Sequence, residues 1–414
     1  MSSIPIIIFI GAAILGARAP RAGLALIFGA LPTYLLRFTV AGVPTTLLEL
    51  LIIGVAVGLI LKEQRAGTLQ VTLREVWNRA RPVRIPLLAL LAAATLGIMV
   101  APETRAAMGV WRAYFVEPML VGVLALAVIK TDADRKNIFR ALGLSALAVS
   151  AVALYQWMTG DGIPPPWNLE RRATSIFPFP NAVGLFLGPL VILFLGLFRE
   201  KISKRRFRSA AWWGMVVIFS VLAIIAAKSE GALVAIVAGV LVYGMLLGKK
   251  TRMATLIVFA IAIVLVFLSP SRGTVMEKLT LRDWSGVVRR SMWSETAEML
   301  RDRPLLGAGL SGYPSALRPY HRATAIEIFQ YPHNIFLTFW SETGLLGLAA
   351  FAALLFAFFR RVFAARNAVL AGAMTVILVH GLVDVPYFKN DLAVLFWFFI
   401  TWPLIAPPLL KSRV

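Results

Sequence analysis

The sequence predicts an all-α polytopic membrane protein, a bundle of about 12–13 transmembrane helices with one long extracytoplasmic helical loop. Hydrophobic residues make up 59% of the 414 residues and charged residues only 15%, whereas soluble chains carry roughly 25% charged residues. The mean hydropathy is +0.81. Apolar segments of membrane-spanning length recur along the chain, so a soluble globular fold is excluded.

The apolar segments determine the number of crossings. A helix that crosses a bilayer needs about 20 apolar residues, with a range of roughly 17–25. Candidate segments lie at 4–17, 22–40, 44–61, 85–101, 110–129, 138–158, 180–198, 211–227, 231–247, 253–269, 334–359, 367–385 and 391–409. The first segment is short, so twelve or thirteen cross. The N-terminus is outside if thirteen cross, and inside if the first two count as one.

Basic residues give the orientation. Lysine and arginine are concentrated at 62–84, 130–140, 199–208, 249–252 and 360–366, and near the C-terminus. Such loops remain in the cytoplasm, which leaves 102–109, 159–179, 228–230, 270–333 and 386–390 outside. The net charge of +22 reports this bias and does not indicate a nucleic-acid partner. We expect residues 1–414 to form a single transmembrane domain into which the 270–333 loop is inserted.

The 270–333 loop has its own helical pattern. Val288, Met292, Thr296 and Met299 recur at helical spacing, which predicts an amphipathic helix that ends at Pro304. Its polar face is formed by Arg289, Arg290, Glu295, Glu298 and Asp302. Such a helix lies on the membrane surface or caps the bundle.

Several kinds of site are excluded by the composition. The chain has no cysteine and only three histidines (His321, His333 and His380), without the paired spacing of a zinc site, so we expect no metal. The string Gly307-Ala-Gly309-Leu-Ser-Gly312 matches G-x-G-x-x-G. A dinucleotide fingerprint follows a strand and opens a helix, whereas this string follows a helix and Pro304. It is interpreted as a tight turn, and no cofactor is expected.

His333 is the candidate catalytic residue. It lies where a polar loop meets the apolar run that begins at Asn334, and Pro332 favours an extended chain before that helix. A helix N-terminus helps to keep the imidazole neutral, and a neutral imidazole at the membrane surface can act as a general base. The alternative is that His333 is an interfacial anchor.

Arginine and lysine on the outer face indicate an anionic substrate. Arg171 and Arg172 precede one segment, Lys228 occupies a minimal loop, and Arg289 and Arg290 belong to the surface helix. The planar fork of arginine binds phosphate oxygens in pairs. The alternatives are ion pairs with Glu170, Glu230, Glu295 and Glu298, or contact with lipid headgroups.

His380 and Asp384 are one helical turn apart near the outer end of segment 367–385. Ionisable residues in a membrane helix are candidates for function. At this spacing the two side chains can also satisfy each other. Structural pairing and a position of Asp384 on the active-site cavity both remain open.

Three blocks resemble the superfamily of O-antigen ligases and O-antigen polymerase-like enzymes. They are Arg172-Ala-Thr-Ser-Ile-Phe-Pro-Phe-Pro-Asn181, the Arg-x3-Trp of Arg289–Trp293 followed by Arg303-Pro-Leu-Leu-Gly-Ala-Gly309, and the His-x10-Gly of His333–Gly344. In one place the chain departs from the family, because Lys228-Ser-Glu230-Gly stands where the family often has Ser-Arg-Gly. Either Lys228 supplies the positive charge of the missing arginine, or this subgroup binds its donor differently.

The resemblance implies an enzyme, a glycosyltransferase or ligase of the bacterial cytoplasmic (inner) membrane with its active site on the extracytoplasmic face. It would transfer an undecaprenyl-diphosphate-linked glycan to an acceptor hydroxyl of a glycan, lipid or protein without a metal, with membrane lipids as further partners. His333 would be the general base, and Arg172, Arg289 and Lys228 would bind the diphosphate. Asn334, Glu230 and Asp384 are further candidate substrate-binding residues.

Other functions also remain open. A surface-polysaccharide polymerase or a protein O-oligosaccharyltransferase of the same superfamily would use the same donor. A lipid-linked glycan transporter is the alternative of another class. A transporter would show internal repeats with broken helices, and no such repeat is visible in the sequence.

Overall fold

A computed structural model describes residues 3–270 and 272–405. The helices are α1 (Ile4–Arg18), α2 (Pro20–Gly29), α3 (Leu47–Arg65), α4 (Leu69–Arg79), α5 (Arg84–Val100), α6 (Thr104–Trp111), α7 (Glu117–Val128), α8 (Asp132–Thr159), α9 (Asn181–Ser203), α10 (Phe207–Ala226), α11 (Glu230–Leu246), α12 (Lys249–Leu268), α13 (Arg272–Leu279), α14 (Trp284–Asp302), α15 (Tyr313–Leu317), α16 (Ile335–Ala364), α17 (Ala368–His380) and α18 (Asn390–Ile405). Strands β1 (Arg37–Val40) and β2 (Val43–Thr46) form a hairpin. The all-α polytopic fold class is thereby confirmed.

In the described part of the chain, six helical stretches are long and apolar enough to cross a membrane: Thr104–Val128, Asp132–Thr159, Asn181–Ser203, Phe207–Ala226, Lys249–Leu268 and Ile335–Ala364. A seventh is added if α4 and α5 form one broken span, and α1, α11, α17 and α18 are shorter apolar helices. This number is below the 12–13 segments of the sequence analysis. The reason is that several of those segments form helices of fewer than 18 residues.

The largest difference from the sequence-based boundaries is at 22–40. Helix α2 ends at Gly29, a short 3-10 turn covers Leu31–Leu35, and β1 and β2 follow. Ala41 and Gly42 both have positive φ, 48° and 78°, as a two-residue hairpin turn requires. The Thr46 side chain then caps α3 in a reciprocal capping box with Glu49.

The chain divides into two compact units. The first comprises the chain up to Arg84, Arg112–Ile236 and the residues from Tyr387 on, and the second comprises Ile85–Trp111 and Val237–Pro386. In the first unit α1 packs on α3, α9 on α10 and α7 on α18. Helices α1 and α3 approach so closely that a Cβ at position 58 would overlap the Ala13 carbonyl. The glycine at this position makes the close contact possible.

A buried ion-pair cluster connects elements of the first unit. The Arg112 guanidinium lies 2.8 Å from Glu49 and 3.2 Å from Glu117. The side-chain amide of Asn390 donates to Glu49 at 3.0 Å. Glu49 and Glu117 are both buried. Removing one partner from such a cluster leaves an uncompensated buried charge, which destabilises a fold by about 3–5 kcal/mol.

In the second unit, α14 is the amphipathic helix that the 270–333 pattern predicts. Asp283 caps it, and it ends at Asp302, two residues before Pro304. Met292, Thr296 and Met299 are buried, so this helix is confirmed.

The prediction that Glu295 belongs to the exposed polar face of α14 is wrong. Glu295 is 5% exposed, and it accepts hydrogen bonds from His321 Nδ1 at 3.0 Å and from the amides of Arg322 (2.9 Å) and Ala323 (3.1 Å). Residues 321–323 fold back over this position, and a buried carboxylate needs such donors. Burial alone would raise the pKa of Glu295, but these hydrogen bonds lower it below its ordinary value.

Candidate active site

The candidate site of the second unit is built around the turn that follows α17, residues 381–385, hereafter the 381–385 turn. Three successive carbonyls of this turn accept hydrogen bonds from residues distant in sequence. Gly381 accepts from the Ile335 amide (2.7 Å), Leu382 from the Asn334 side-chain amide (3.1 Å), and Val383 from Arg289 Nε (2.7 Å). The conformation of the turn is therefore fixed by α14 and by the start of α16.

Asp384, in this turn, pairs with His333. The distance between His333 Nδ1 and Asp384 Oδ1 is 3.3 Å, and the two side chains are 31% and 8% exposed. The same carboxylate oxygen accepts from the Val385 amide at 2.8 Å. An ionised carboxylate can only accept, so His333 Nδ1–H is the donor and Nε2 carries the lone pair. This tautomer makes Nε2 the atom that can take a proton.

The position of the His333 ring is constrained on several sides. Its backbone has a φ of 47°, a left-handed conformation that costs a non-glycine residue about 1–3 kcal/mol and is typical of functional sites. Asn334 follows as the N-cap of α16. The Phe329 ring meets the imidazole edge to face, with centroids 5.1 Å apart. His333 thus lies at a helix N-terminus, as its sequence position indicated.

Helix α14 holds both members of the pair. Arg289 and Trp293 are four residues apart and so lie on one helical face. Trp293 Nε1 donates to the Pro332 carbonyl at 2.9 Å, and Arg289 Nε donates to the Val383 carbonyl at 2.7 Å. One turn of α14 therefore binds the residue before His333 and the residue before Asp384. The role of Trp293 was missed in the sequence analysis, although the Arg-x3-Trp spacing was the signal for it.

The side chain of Asn334 forms its hydrogen bonds within the protein, whereas part of the Arg289 guanidinium does not. Asn334 Oδ1 accepts from the amides of Phe336 (3.0 Å) and Leu337 (3.1 Å), and its nitrogen binds Leu382. Its amide is thus used within the protein. The two terminal nitrogens of Arg289 make no hydrogen bond to any residue that the structure describes, so they remain available to an anion.

His380 is the last residue of α17 and is 2% exposed. Its Nδ1 has no hydrogen-bond partner among residues 3–270 and 272–405. Asp384 forms a hydrogen bond with His333, 51 residues away in sequence, and not only a local electrostatic contact with His380 one turn before it.

Helix α16 is interrupted at Gly344, where φ is 69° and ψ is −175°. The loop after α14 fills the interruption: the Leu345 amide donates to the Leu305 carbonyl at 3.0 Å and the Ala308 amide to the Ser341 carbonyl at 2.7 Å. A Cβ at position 344 would overlap the Leu305 carbonyl. The glycine of the His-x10-Gly string is therefore required by the break, and the helical part before the break carries His333 at its start.

The Gly307–Gly312 string forms the tight turn that was predicted for it. Gly307 and Gly309 have φ values of 66° and 78°. The Leu310 amide donates to the Gly97 carbonyl at 3.0 Å, and the Ser311 amide donates to Glu342 Oε2 at 2.6 Å. The glycines allow this close approach between backbones, which is a structural reason for the pattern.

The first unit carries a separate cationic cluster at Arg172 and Lys228. The Arg172 guanidinium lies 5.1 Å above the Trp167 ring. Its nitrogens make long contacts, 3.4 Å to Asn181 Oδ1 and 3.5 Å to the Lys228 carbonyl. Lys228 Nζ donates to the Glu170 carbonyl at 2.7 Å, and its backbone φ is 50°. The long contacts leave the guanidinium weakly satisfied by the protein.

Two further charged residues of the first unit, Glu230 and Lys389, lie in segments assigned to the outer face. Glu230 is the first residue of α11, where a carboxylate is favoured by the helix dipole. Lys389 was not selected from the sequence, although it lies in the 386–390 loop assigned to the outer face. Its Nζ is 4.0 Å from the centroid of Phe179, in the loop that also carries Arg172.

Residues 214–352 match the family model described as O-antigen ligase. This segment belongs to the O-antigen ligase-like superfamily. The match covers about a third of the chain and includes Lys228, Glu230, Arg289, His333 and Asn334. No curated protein matches the chain. Glycan transfer of the O-antigen ligase type, by a multi-pass membrane protein, is therefore the general activity that the superfamily supports.

Proposed function

We propose that the protein transfers a glycan from an undecaprenyl-diphosphate-linked donor to an acceptor hydroxyl at the outer face of the bacterial cytoplasmic membrane. The observation that carries the proposal is the His333–Asp384 pair, 3.3 Å apart. It is held by Arg289 and Trp293 of α14. A base oriented by a carboxylate is the arrangement that activates a hydroxyl nucleophile.

In this mechanism Nε2 of His333 accepts the proton of the acceptor hydroxyl. The oxygen attacks the anomeric carbon of the donor sugar, and the bond from that carbon to the diphosphate oxygen breaks. Asp384 stabilises the imidazolium that forms at His333. The leaving group is undecaprenyl diphosphate. A single displacement of this kind inverts the configuration at the anomeric carbon.

Charge on the leaving diphosphate is stabilised by cationic side chains. In the second unit the terminal nitrogens of Arg289 are free to bind phosphate oxygens in a bidentate manner. Arg172 and Lys228 belong to the first unit, and their assignment to phosphate rests on the resemblance to the family, with Lys228 in the role of the family's arginine. Asn334, Glu230 and Asp384 were candidates for substrate contact. For Asn334 and Asp384 the contacts within the protein favour a positioning role.

The alternative functions differ in what they require. A polymerase or a protein O-oligosaccharyltransferase would use the same base and donor with another acceptor. A transporter of lipid-linked glycans would use a broken helix whose exposed ends bind the cargo. The ends at Gly344 are instead occupied by backbone groups of Leu305 and Ala308, which favours an enzyme.

The test is a transfer assay with purified protein in liposomes and a lipid-linked donor. His333→Ala should lower the rate by about 10²- to 10⁴-fold, since it removes the base. His333→Tyr distinguishes the alternative role, because a tyrosine anchors equally well at a membrane interface. Near-normal turnover by the His333→Tyr protein would show that His333 is only an anchor.

A second pair of variants tests the anion site. Arg289→Lys should restore little of the activity that Arg289→Ala loses, since a point charge does not reproduce bidentate contact. Arg290→Ala is the matched control, because Arg290 is the exposed neighbour on the same helix. Lys228→Ala should resemble Arg289→Ala if Lys228 takes the place of the family's arginine. Equal activity of the Arg289→Ala and Arg290→Ala proteins would contradict the assignment.

A further inference from the structure

Helix α4 (Leu69–Arg79) lies outside the proposed catalytic site and has an apolar face that the protein covers only in part. Val76 is buried, and α4 packs on α7. Leu73 and Trp77 lie on the same face but are 53% and 49% exposed. At about 100° per residue these side chains form one stripe. One edge of the stripe therefore packs on the unit, and the other edge is open.

Exposed arginines flank the open edge. Arg74 and Arg81 are both exposed. At about 100° per residue Arg74 lies beside Leu73 and Trp77 on the helix surface, and Arg81 lies in the turn that follows the end of α4. The Arg84 guanidinium lies 5.2 Å over the Trp77 ring. In contrast, Arg79 on the opposite side is used within the unit, where it donates to the Leu126 carbonyl at 2.9 Å.

We propose that α4 lies in the headgroup layer of the membrane and that its open edge binds anionic phospholipid. Leucine and tryptophan beside arginine are typical of helices that lie flat at the interface. Tryptophan is favoured at headgroup depth, and arginine stems can cover apolar surface while their heads reach phosphate. Each arginine near an anionic surface strengthens the attraction roughly fivefold.

A lipid surface fits this edge better than a protein partner does. Helix α4 lies in the 62–84 connection, directly between the apolar helices α3 and α5. If these two helices enter the bilayer, its surface is next to α4. The acidic residue of α4, Glu75, is already paired with Lys130 at 2.8 Å. The open edge therefore carries an unopposed positive charge, which complements phosphate groups.

The test uses the absence of cysteine from the chain. Single cysteines are introduced as Leu73→Cys on the open edge and Asn78→Cys about 140° away around the helix, and each is labelled with an environment-sensitive fluorophore. The full-length proteins are reconstituted in vesicles of phosphatidylcholine and phosphatidylglycerol. Bromine atoms, which quench the label, are placed on the acyl chains of one lipid at a time. Gln70→Cys, at an exposed polar position on the same side of α4 as Trp77 and two turns before it, serves if the Leu73→Cys protein does not fold.

We expect at least threefold stronger quenching at position 73 than at position 78, and stronger quenching by brominated phosphatidylglycerol than by the brominated neutral lipid. Arg74→Gln with Arg81→Gln should remove this preference for the anionic lipid and leave the overall quenching in place. Equal quenching at positions 73 and 78 would overturn the proposal. So would a label at 73 that neither brominated lipid nor aqueous iodide can reach, since protein would then cover the edge.

Discussion

Replacing Asp384 with asparagine is the most informative perturbation of the proposed site. Asparagine keeps the shape of the side chain, and its oxygen can still accept from the Val385 amide. It loses the negative charge that faces His333 Nδ1 at 3.3 Å. The base itself remains. The variant therefore separates what the carboxylate contributes from what the imidazole contributes.

The magnitude follows from one hydrogen bond to a charged group. Such a bond contributes about 1.5–3 kcal/mol, and each 1.36 kcal/mol corresponds to a tenfold change in rate. Because the imidazolium exists only after proton transfer, most of this energy is lost from the transition state. We expect a decrease in kcat of about 10- to 150-fold, with little change in KM for the donor.

The assay is turnover of lipid-linked donor by purified protein across a range of pH. The acid side of the rate profile should move to lower pH in the Asp384→Asn protein, because the protonated imidazole has lost its partner. Asp302→Asn is the matched control: Asp302 accepts from the Tyr320 hydroxyl at 2.6 Å on the surface of the loop. Combining Asp384→Asn with His333→Ala should cost no more than His333→Ala alone. Additive losses, or an unmoved profile, would refute a shared role.

Three further predictions concern topology, packing and pH. A cysteine at Ser285 should be labelled from outside intact cells and one at Ser203 should not, because they lie in loops assigned to opposite faces. Gly344→Ala should destabilise the protein by about 2–4 kcal/mol, through backbone strain and overlap with the loop. Gly109→Ala, inside α6, should not destabilise it, because nothing lies within 4 Å of its Cβ position and alanine is the better helix former. Because the pKa of Glu295 is lowered in the folded protein, the ionised carboxylate stabilises the loop above about pH 4.5, and this stabilisation is lost as the pH falls. The thermal unfolding temperature of the Glu295→Gln protein should therefore depend less on pH in that range than that of the unchanged protein.

The sequence predicted the helices well where apolar runs are long and uninterrupted. The predicted segment 180–198 corresponds to α9 at Asn181–Ser203, and 211–227 corresponds to α10 at Phe207–Ala226. The prediction failed at 22–40. Hydropathy averages over a window. It detects neither Pro32, which cannot continue helix α2, nor the Ala41-Gly42 turn of the hairpin that follows.

The residues of the candidate site were largely selected from the sequence, but their partners were not. His333 was chosen for its place at a helix start, and Asp384 for its position in an apolar segment. Their pairing joins residues 51 positions apart, which no local pattern encodes. Glu295 is seven residues after Val288 and four before Met299, so helical periodicity places it on the buried face of α14. Its charge led to the wrong assignment, and the segment that returns over it, which supplies its hydrogen-bond donors, is not visible in the local pattern.

The Arg-x3-Trp and His-x10-Gly spacings both have a physical reason in the second unit, because both help to position the His333–Asp384 pair. The Arg-x3-Trp spacing puts Arg289 and Trp293 on one face of α14, where they bind the backbone before Asp384 and before His333. The His-x10-Gly spacing places the helix break of Gly344 two to three turns beyond His333, where the loop after α14 enters.

Because guanidinium is planar and rigid, an anion bound at the terminal nitrogens of Arg289 would also fix its Nε, and with it the Val383 carbonyl and the 381–385 turn. Donor binding and the alignment of Asp384 with His333 are then linked through a single side chain. This link is a second reason, beyond bidentate contact with phosphate, why lysine at position 289 should be a poor substitute.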